Sequence, residues 1–140
     1  MEALPTAMLS DVMELKTCVV IPCYREQDHI GTVVADCLRQ VPVVLVVDDG
    51  SDDGTAEAAR AAGAEVIVHP ENAGKGAALN TGFDWAVARN FDAVITMDGD
   101  GQHDPTEIPK FLQAAADPDV HIVVGSRMHD IADMPGIRRW

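Results

Sequence analysis

Five short apolar runs rich in Val and Ile recur along this 140-residue chain, and each is continuous rather than alternating. The runs cover residues 18–21, 43–47, 65–68, 93–96 and 122–124. A strand with one face in water alternates polar and apolar residues, whereas a strand covered on both faces is continuously apolar. The runs therefore predict the strands of a buried, mostly parallel sheet.

Segments with helical periodicity lie between these runs. Residues 30–38 and 78–87 carry apolar side chains at the spacing of one helix face, and residues 53–62 are rich in Ala, a strong helix former. Asp104, Pro105 and Glu107 are typical of a helix start, and Pro109 predicts that the regular helix begins a turn later. Strands and helices in strict alternation predict an α/β fold with right-handed crossovers and helices on both faces.

Composition narrows the class of protein. With 47 % hydrophobic residues the chain can form one sheet-centred core, so we expect one domain over residues 17–140 after an N-terminal extension over residues 1–16. The formal charge of −13 disfavours a nucleic-acid partner and requires local compensation at any phosphate site. Three cysteines without a CxxC pair predict reduced thiols, and no signal peptide or membrane helix is apparent.

Polar residues follow the first two apolar runs, and in parallel sheets ligands bind beyond the carboxyl ends of the strands. Tyr24 offers a ring face for a base and Glu26 an acceptor for a base or ribose, although Pro22 to Glu26 can equally be a strand-ending turn. Asp48 and Asp49 end a buried strand, where carboxylates are costly unless they bind or cap something. A calcium loop is excluded, because its twelfth position is Arg60 rather than Glu.

The third run is followed by a glycine-flanked lysine, Gly74-Lys75-Gly76, at the opening of a helix. Backbone donors and the helix dipole favour an anion at such a place. The loop lacks the first Gly and the Ser or Thr of a Walker A motif, and Leu79 stands where a dinucleotide fingerprint has its third glycine. This motif indicates phosphate binding only weakly by itself.

The fourth run is followed by Asp98, Asp100 and Gln102, whose spacing predicts that their side chains point the same way along an extended segment. Two convergent carboxylates favour Mg²⁺ or Mn²⁺ with substrate phosphates completing the shell. A solvated acidic turn is the alternative. The fifth run is followed by Arg127, which can hold a phosphate or sugar or form a surface ion pair.

In order and spacing, five motifs resemble the signature of family-2 glycosyltransferases, and the form of the fourth is closest to polyprenol-phosphate mannosyl and glucosyl transferases. The resemblance runs from about Thr17 to the end of the chain. The motifs are Val20-Ile-Pro-Cys-Tyr-Arg-Glu26, Val46-Val-Asp-Asp-Gly-Ser-Asp-Asp-Gly-Thr55, Asn72-Ala-Gly-Lys-Gly-Ala-Ala78, Met97-Asp-Gly-Asp-Gly-Gln-His-Asp-Pro105 and Val124-Gly-Ser-Arg127.

The resemblance implies a Rossmann-like GT-A fold, a nucleotide-diphosphate-sugar donor of the GDP-mannose or UDP-glucose type, and Mg²⁺ or Mn²⁺. It implies inverting transfer of a hexose to an acceptor, expected to be a polyprenyl phosphate. Asp98, Asp100 and Arg127 would act in catalysis, and Asp98, Asp100 and Gln102 would hold the metal. The nucleotide sugar would be bound by Pro22, Tyr24, Glu26, Val47, Asp48, Asp49, Lys75, Asp98, Gly99, Asp100 and Arg127.

The chain stops shortly after the fifth motif, where members of this type continue, so the acceptor part of the fold is expected to be missing. A binding-only module is therefore an alternative to an active transferase, and a nucleotidyltransferase is a weaker one. The resemblance implies a cytoplasmic protein, peripheral at the membrane face where the acceptor is a lipid phosphate. The motifs give no indication of the base, the sugar or the oligomeric state.

Overall fold

A four-stranded parallel sheet forms the centre of the protein, in a computed structural model that describes residues 15–119. Its strands are β1 (Thr17–Cys23), β2 (Val44–Asp48), β3 (Glu65–Val68) and β4 (Ala93–Thr96), in the spatial order β3-β2-β1-β4. Every neighbouring pair is parallel. The predicted parallel sheet is confirmed for these four strands, and the fifth run, residues 122–124, lies outside the described residues.

Within residues 15–119, four helices connect or follow the strands: α1 (Ile30–Leu38), α2 (Thr55–Ala61), α3 (Lys75–Ala88) and α4 (Ile108–Ala115). A 3-10 turn, Pro105–Glu107, precedes α4. Asp104 caps that turn by accepting a hydrogen bond from Thr106 N at 2.9 Å, so the regular helix begins a turn after the cap, as predicted. Between residues 15 and 119, no helix combines the length and the apolarity that crossing a bilayer requires.

Two apolar cores sandwich the sheet, because successive side chains of a strand point to opposite faces. Val19, Ile21, Val44 and Val46 pack with α1, α2 and Ile108 on one face. On the opposite face, β1 and β2 pack against α3 through a second cluster that comprises Cys18, Val20, Leu45, Val47, Ala78 and Ala86. The predicted helices on both faces are confirmed. Burial from both sides explains the continuous apolar runs of β1 and β2, whereas β3 and β4 are only partly buried.

The chain reverses its direction across the sheet between β3 and β4. From β1 it proceeds through β2 to β3 at one edge, and α3 then carries it back to β4 on the other side of β1. A crevice opens where strand order switches in this way, at the carboxyl ends of the central strands. The loops that follow β1 and β4 meet at that crevice, since Val20 of β1 pairs with Thr96 at the end of β4.

Candidate active site

A cavity of about 370 Å³ lies at the carboxyl ends of β1, β2 and β4. Eight of the residues singled out in the sequence line it: Pro22, Tyr24, Glu26, Asp49, Lys75, Asp98, Gly99 and Asp100. Four further lining residues, Cys23, Asn72, Gly74 and Ala78, were not among the predicted site residues. Residues from four separate loops thus converge on one concave surface.

The turn after β1 presents Tyr24 at this cavity, with 41 % of the residue exposed. Arg25 has a left-handed backbone, with φ at 54°, and its guanidinium lies 5.0 Å from the centroid of the Tyr24 ring. Arg25 is itself held by two hydrogen bonds of 3.0 Å to the carboxylate of Asp52 and by its N–H to Ser51 Oγ at 2.8 Å. The aromatic ring is therefore set by contacts between the β1 and β2 loops.

Glu26 extends the same side of the cavity. Its backbone N–H donates to Oγ1 of the fully buried Thr55 at 3.0 Å, which ties the β1 loop to the start of α2. Its carboxylate lies 3.2 Å from His29 Nδ1. Glu26 thus has a fixed backbone and an acceptor side chain at the cavity.

Asp49 is only 4 % exposed and organises the loop that follows β3. Its carboxylate accepts hydrogen bonds from Ala73 N at 2.9 Å, Gly74 N at 2.8 Å and His69 Nδ1 at 2.7 Å. Burial alone would raise the pKa of Asp49, but the hydrogen bonds from Ala73, His69 and Gly74 together lower it. Two of the three bonds fall on Oδ1, so Oδ2, which accepts only from Gly74 among residues 15–119, retains capacity for a ligand donor.

The β2 and β3 loops are packed backbone to backbone at Gly50. Gly50 has φ at 79°, and a Cβ at this position would lie 2.6 Å from the carbonyl carbon of Glu71. No side chain fits there without moving the loop, which explains the glycine after the paired aspartates.

His69 connects this loop to α3, a role that the sequence interpretation missed. Its Nδ1 lies 2.7 Å from Asp49 Oδ1 and its Nε2 lies 2.8 Å from Thr81 Oγ1, while the Thr81 hydroxyl donates to Ala77 O at 3.0 Å. The available signal was a histidine directly after a strand, which is too common to indicate this chain of contacts. His69 thereby fixes the orientation of the Asp49 carboxylate.

The loop after β4 brings Asp98 and Asp100 together through a turn, so the predicted extended segment is wrong. The strand ends at Thr96, the backbone turns at Gly99 and Asp100, and Gly101 has φ at 82°. The turn packs closely on the end of β1, since a Cβ on Gly99 would lie 2.6 Å from Cys23 Sγ. Both carboxylates nevertheless line the same cavity.

Asp98 already has cationic and polar neighbours. Lys75 Nζ lies 2.7 Å from Asp98 Oδ1, and His103 Nε2 lies 3.6 Å from Oδ2. The Asp98 backbone N–H donates to His103 Nδ1 at 3.1 Å. Lys75 places a positive charge directly against the Asp98 carboxylate.

The acidic turn offers oxygen donors for a divalent cation but no complete cage. Among residues 15–119, no group of three or more His, Cys, Asp or Glu side chains is arranged to hold a metal ion. Asp100 accepts from Gln102 N at 2.9 Å through Oδ1, and no hydrogen bond or ion pair within the described range engages its Oδ2. Two carboxylates suit Mg²⁺ or Mn²⁺ when substrate phosphates supply the remaining ligands. The donor set fits such an ion.

Three of the predicted site residues that the structure describes do not line the cavity. Val47 is fully buried in the core below it, and Asp48 is 2 % exposed and accepts a hydrogen bond from Ser51 N at 3.0 Å. Gln102 is exposed and does not line the cavity. Arg127 lies outside the described residues.

Cys23 forms part of the cavity floor beneath the acidic turn. Burial, reinforced by the charges of Glu26, Asp48, Asp98 and Asp100, raises the pKa of its thiol far above the ordinary range. The thiol therefore stays protonated at neutral pH and serves as packing material.

Sequence comparison matches residues 18–139 to the family model described as glycosyl transferase family 2. The polyprenol monophosphomannose synthase of Mycolicibacterium smegmatis is 36 % identical over 135 residues, which cover 89 % of this chain and 49 % of that protein. The undecaprenyl-phosphate mannosyltransferase of Micrococcus luteus is 35 % identical over 120 residues, which cover 81 % of this chain and 49 % of that protein. The chain thus spans about half the length of these curated relatives.

Among solved structures, the glucosyl-3-phosphoglycerate synthase of Mycobacterium tuberculosis matches with a TM-score of 0.62 and 25 % identity. The match covers 78 % of this chain and 42 % of that one, which was crystallised with Mn²⁺, uridine-diphosphate-glucose and phosphoglyceric acid. The sheet and its flanking helices are therefore of the GT-A type found in glycosyltransferases.

Proposed function

Because the chain belongs to glycosyl transferase family 2, we propose that its cavity binds a nucleotide-diphosphate sugar whose hexose is then transferred to an acceptor. The observation that carries this proposal is the convergence of Tyr24, Asp49, Asp98 and Asp100 on one cavity at the switch point of the sheet. The site combines an aromatic face, a buried acceptor and paired carboxylates, which are suited to a base and a metal-bound diphosphate.

The base and ribose belong on the side of the cavity formed by the β1 and β2 loops. The Tyr24 ring offers a stacking face, and the remaining acceptor capacity of Asp49 Oδ2 suits an N–H of a base. Glu26 offers a carboxylate to a ribose hydroxyl. Both guanine and uracil present an N–H to such an acceptor, so donors of the GDP-mannose and UDP-glucose types are the candidates.

The diphosphate belongs beside the acidic turn, where Asp98 and Asp100 would hold Mg²⁺ or Mn²⁺. Such an ion, when bound, stabilises the negative charge that develops on the departing nucleoside diphosphate. The chain's own contributions are two carboxylates on one turn and the Lys75 ammonium beside them. Arg127 is proposed to approach the phosphates or sugar. Gln102, which is exposed and does not line the cavity, would have to turn inward to reach the metal.

The proposed acceptor is a polyprenyl phosphate, which the names of the two mannosyltransferase relatives support. Attack by its phosphate oxygen on the face opposite the leaving group would invert the anomeric carbon. Such an oxygen is already anionic, so the reaction needs no strong general base. A lipid acceptor would place the protein at the cytoplasmic face of a membrane.

A thermal-shift screen of GDP-mannose and UDP-glucose, each with and without Mn²⁺, tests donor binding. A ligand that binds only the native state raises the melting temperature, and the rise grows with the logarithm of its concentration relative to its Kd. We expect one of the two donors to stabilise the protein when Mn²⁺ is present and to do so much less in EDTA. Equal melting temperatures under all four conditions would remove the basis of the proposal.

A nucleotide-sugar-binding module without transferase activity is the second candidate. The matched residues correspond to about half of each curated relative, so donor binding and transfer are tested separately. Incubation with a radiolabelled donor, Mn²⁺ and a polyprenyl phosphate separates the two. Labelled lipid identifies a transferase, whereas donor binding by calorimetry without labelled lipid or released sugar identifies the module.

A further inference from the structure

The Gly-Lys-Gly loop and the acidic turn are joined across the cavity by one ion pair. Lys75 is the first residue of α3, and its Nζ lies 2.7 Å from Asp98 Oδ1. Both side chains line the cavity and both are partly open to solvent, Lys75 at 45 % and Asp98 at 33 %. The ammonium therefore occupies one oxygen of a carboxylate proposed to bind a divalent cation.

A divalent ion and the ammonium compete for the same carboxylate. Mg²⁺ binds carboxylate oxygens at about 2.0–2.1 Å, whereas the ammonium lies 2.7 Å from Oδ1. Two cations that share one carboxylate repel each other, and this repulsion is strong in a partly buried site.

The position of Lys75 also allows its ammonium to bind a second partner, an anion in the same cavity. The backbone before it, Gly74, has φ at 101° and donates its N–H to Asp49, so the root of the side chain is held at the cavity wall. From this fixed root the flexible four-carbon stem can release Asp98 and still reach an anion in the same cavity. A diphosphate there would replace the lost carboxylate partner.

We propose that Lys75 is an internal counter-cation that makes divalent-metal binding depend on the nucleoside diphosphate. Without nucleotide, Lys75 neutralises Asp98 and weakens metal binding. When metal and nucleotide bind together, the metal takes the Asp98 oxygen and Lys75 transfers to the diphosphate. Each ligand then strengthens the other by the same factor, as linkage requires. This inference rests on the proposed function, because it assumes that metal and nucleoside diphosphate share the cavity.

Calorimetric titration of Mn²⁺ tests the inference on the full 140-residue chain, alone and with saturating GDP or UDP. In the wild type we expect one of the nucleotides to tighten Mn²⁺ binding by roughly 5-fold or more, the lower range of ordinary coupling. In Lys75→Met we expect Mn²⁺ alone to bind about 5- to 10-fold more tightly than to wild type and the nucleotide effect to shrink toward none. Lys75→Gln is a second neutral variant for the same measurements, should the first fold poorly.

Lys110→Met is the matched control, because it removes the same charge from an exposed position on α4 away from the cavity lining. It should leave both Mn²⁺ affinities within twofold of wild type. If Lys110→Met tightens Mn²⁺ as much as Lys75→Met does, the effect is one of net charge and the inference is overturned.

The two proposals fail in different ways. Unchanged or weaker Mn²⁺ binding in both Lys75 variants, with nucleotide coupling intact in the wild type, overturns the counter-cation role and leaves the proposed function standing. If wild-type protein binds neither GDP nor UDP in the presence of Mn²⁺, both proposals are overturned.

Discussion

Asp49 illustrates how a single side chain can serve both the fold and a ligand. Three groups from the β3 loop donate hydrogen bonds to its carboxylate. Its Oδ2, which accepts only from Gly74 among the described residues, can accept a further hydrogen bond from a ligand in the cavity. A carboxylate with this environment stabilises the folded loop only while it is charged. Its contribution can therefore be measured separately from binding.

Asp49→Asn should destabilise the protein by roughly 1–3 kcal/mol at pH 7, the range for an unsatisfied buried group. An amide can accept on one side only, so at least one donor from the loop loses its partner. Urea denaturation measures the difference. Asp84→Asn, an exposed change of the same charge on α3, is the control and should have little effect.

The pH dependence of that stability has a definite sign. Because the folded-state pKa of Asp49 is lowered, its stabilisation is complete above the ordinary aspartate pKa of about 4 and is lost as pH falls through the folded value. The stability difference between wild type and Asp49→Asn should therefore shrink below about pH 4. A difference that stays constant down to the acid limit of folding would contradict this assignment.

Gly99 and Cys23 form a contact that a double-mutant cycle can test. Gly99→Ala should cost roughly 1–3 kcal/mol through overpacking, because the new Cβ would lie 2.6 Å from Cys23 Sγ. Removal of that sulfur in Cys23→Ala/Gly99→Ala should make the pair less destabilised than the sum of the single changes. Chemical denaturation of the wild type, the two single variants and the double variant gives the coupling free energy between the two positions. Simple additivity would show that the turn accommodates the new Cβ by a shift that does not involve the Cys23 sulfur.

At the scale of elements, a glycine in the middle of α3 allows this helix to pack closely against the sheet. A Cβ on Gly82 would lie 2.4 Å from Val20 Cγ1 of β1, so the helix axis can approach the strand only at a residue without a side chain. The same helix carries Lys75 at its start and Thr81 in its centre. Its distance from β1 therefore sets the geometry of one wall of the cavity.

Gly82→Ala should destabilise the protein despite the higher helix propensity of alanine. Propensity favours alanine by about 1 kcal/mol, but overpacking against a buried strand costs typically about 1–3 kcal/mol. Gly76→Ala is the matched control on the same helix, since a Cβ at that position would have no neighbouring atom within 4 Å. It should be neutral or slightly stabilising in thermal denaturation, and an equal loss in both variants would refute the packing explanation.

Local patterns were sufficient for the elements and insufficient for the contacts between loops. The periodicity of residues 30–38 coincides with α1, because burial of one helix face dictates that pattern. The runs at residues 65–68 and 93–96 coincide with β3 and β4, although these two strands are only partly buried. The β2 strand includes Asp48, which was expected to lie just beyond it, since that residue pairs with Cys23 and Val68.

The site was predictable where the chemistry of a residue is unusual for its place, and not where it depends on packing. Paired carboxylates after an apolar strand pointed to Asp98 and Asp100. The link from Asp49 through His69 to Thr81 joins residues 20 and 12 positions apart, and only the folded sheet brings them together. Lys75 was predicted to approach a nucleotide, but its ion pair with Asp98 depends on how α3 crosses the sheet.

At the scale of the whole molecule, a formal charge of −13 opposes the approach of any nucleoside diphosphate. This repulsion is long-range and is screened by salt, with a Debye length of about 10 Å at about 0.1 M. A divalent ion on the acidic turn reverses the sign of the field only locally. Metal and salt should therefore act on binding in distinguishable ways.

Nucleotide association should consequently depend on salt in opposite senses with and without metal. In EDTA, raising the salt concentration should speed any residual association of GDP or UDP, because it screens repulsion from the acidic surface. With saturating Mn²⁺, salt should slow association, because the local field then attracts the anion. Stopped-flow fluorescence with a labelled nucleotide measures both rates, and the same salt dependence in both conditions would contradict the local reversal.

Asp100→Ala tests the local reversal of the field at a single position, because it removes one of the two carboxylates that would hold the ion. It should abolish metal-dependent nucleotide binding, and Mn²⁺ should no longer change the sign of the salt dependence. Asp100 is partly exposed and its carboxylate accepts from the backbone of its own turn, so the melting temperature should stay near that of wild type. Asp84→Ala matches its charge change at an exposed site and should retain full metal dependence. Unchanged nucleotide affinity in Asp100→Ala with Mn²⁺ present would mean that the ion, and with it the attraction that offsets the acidic surface, lies elsewhere.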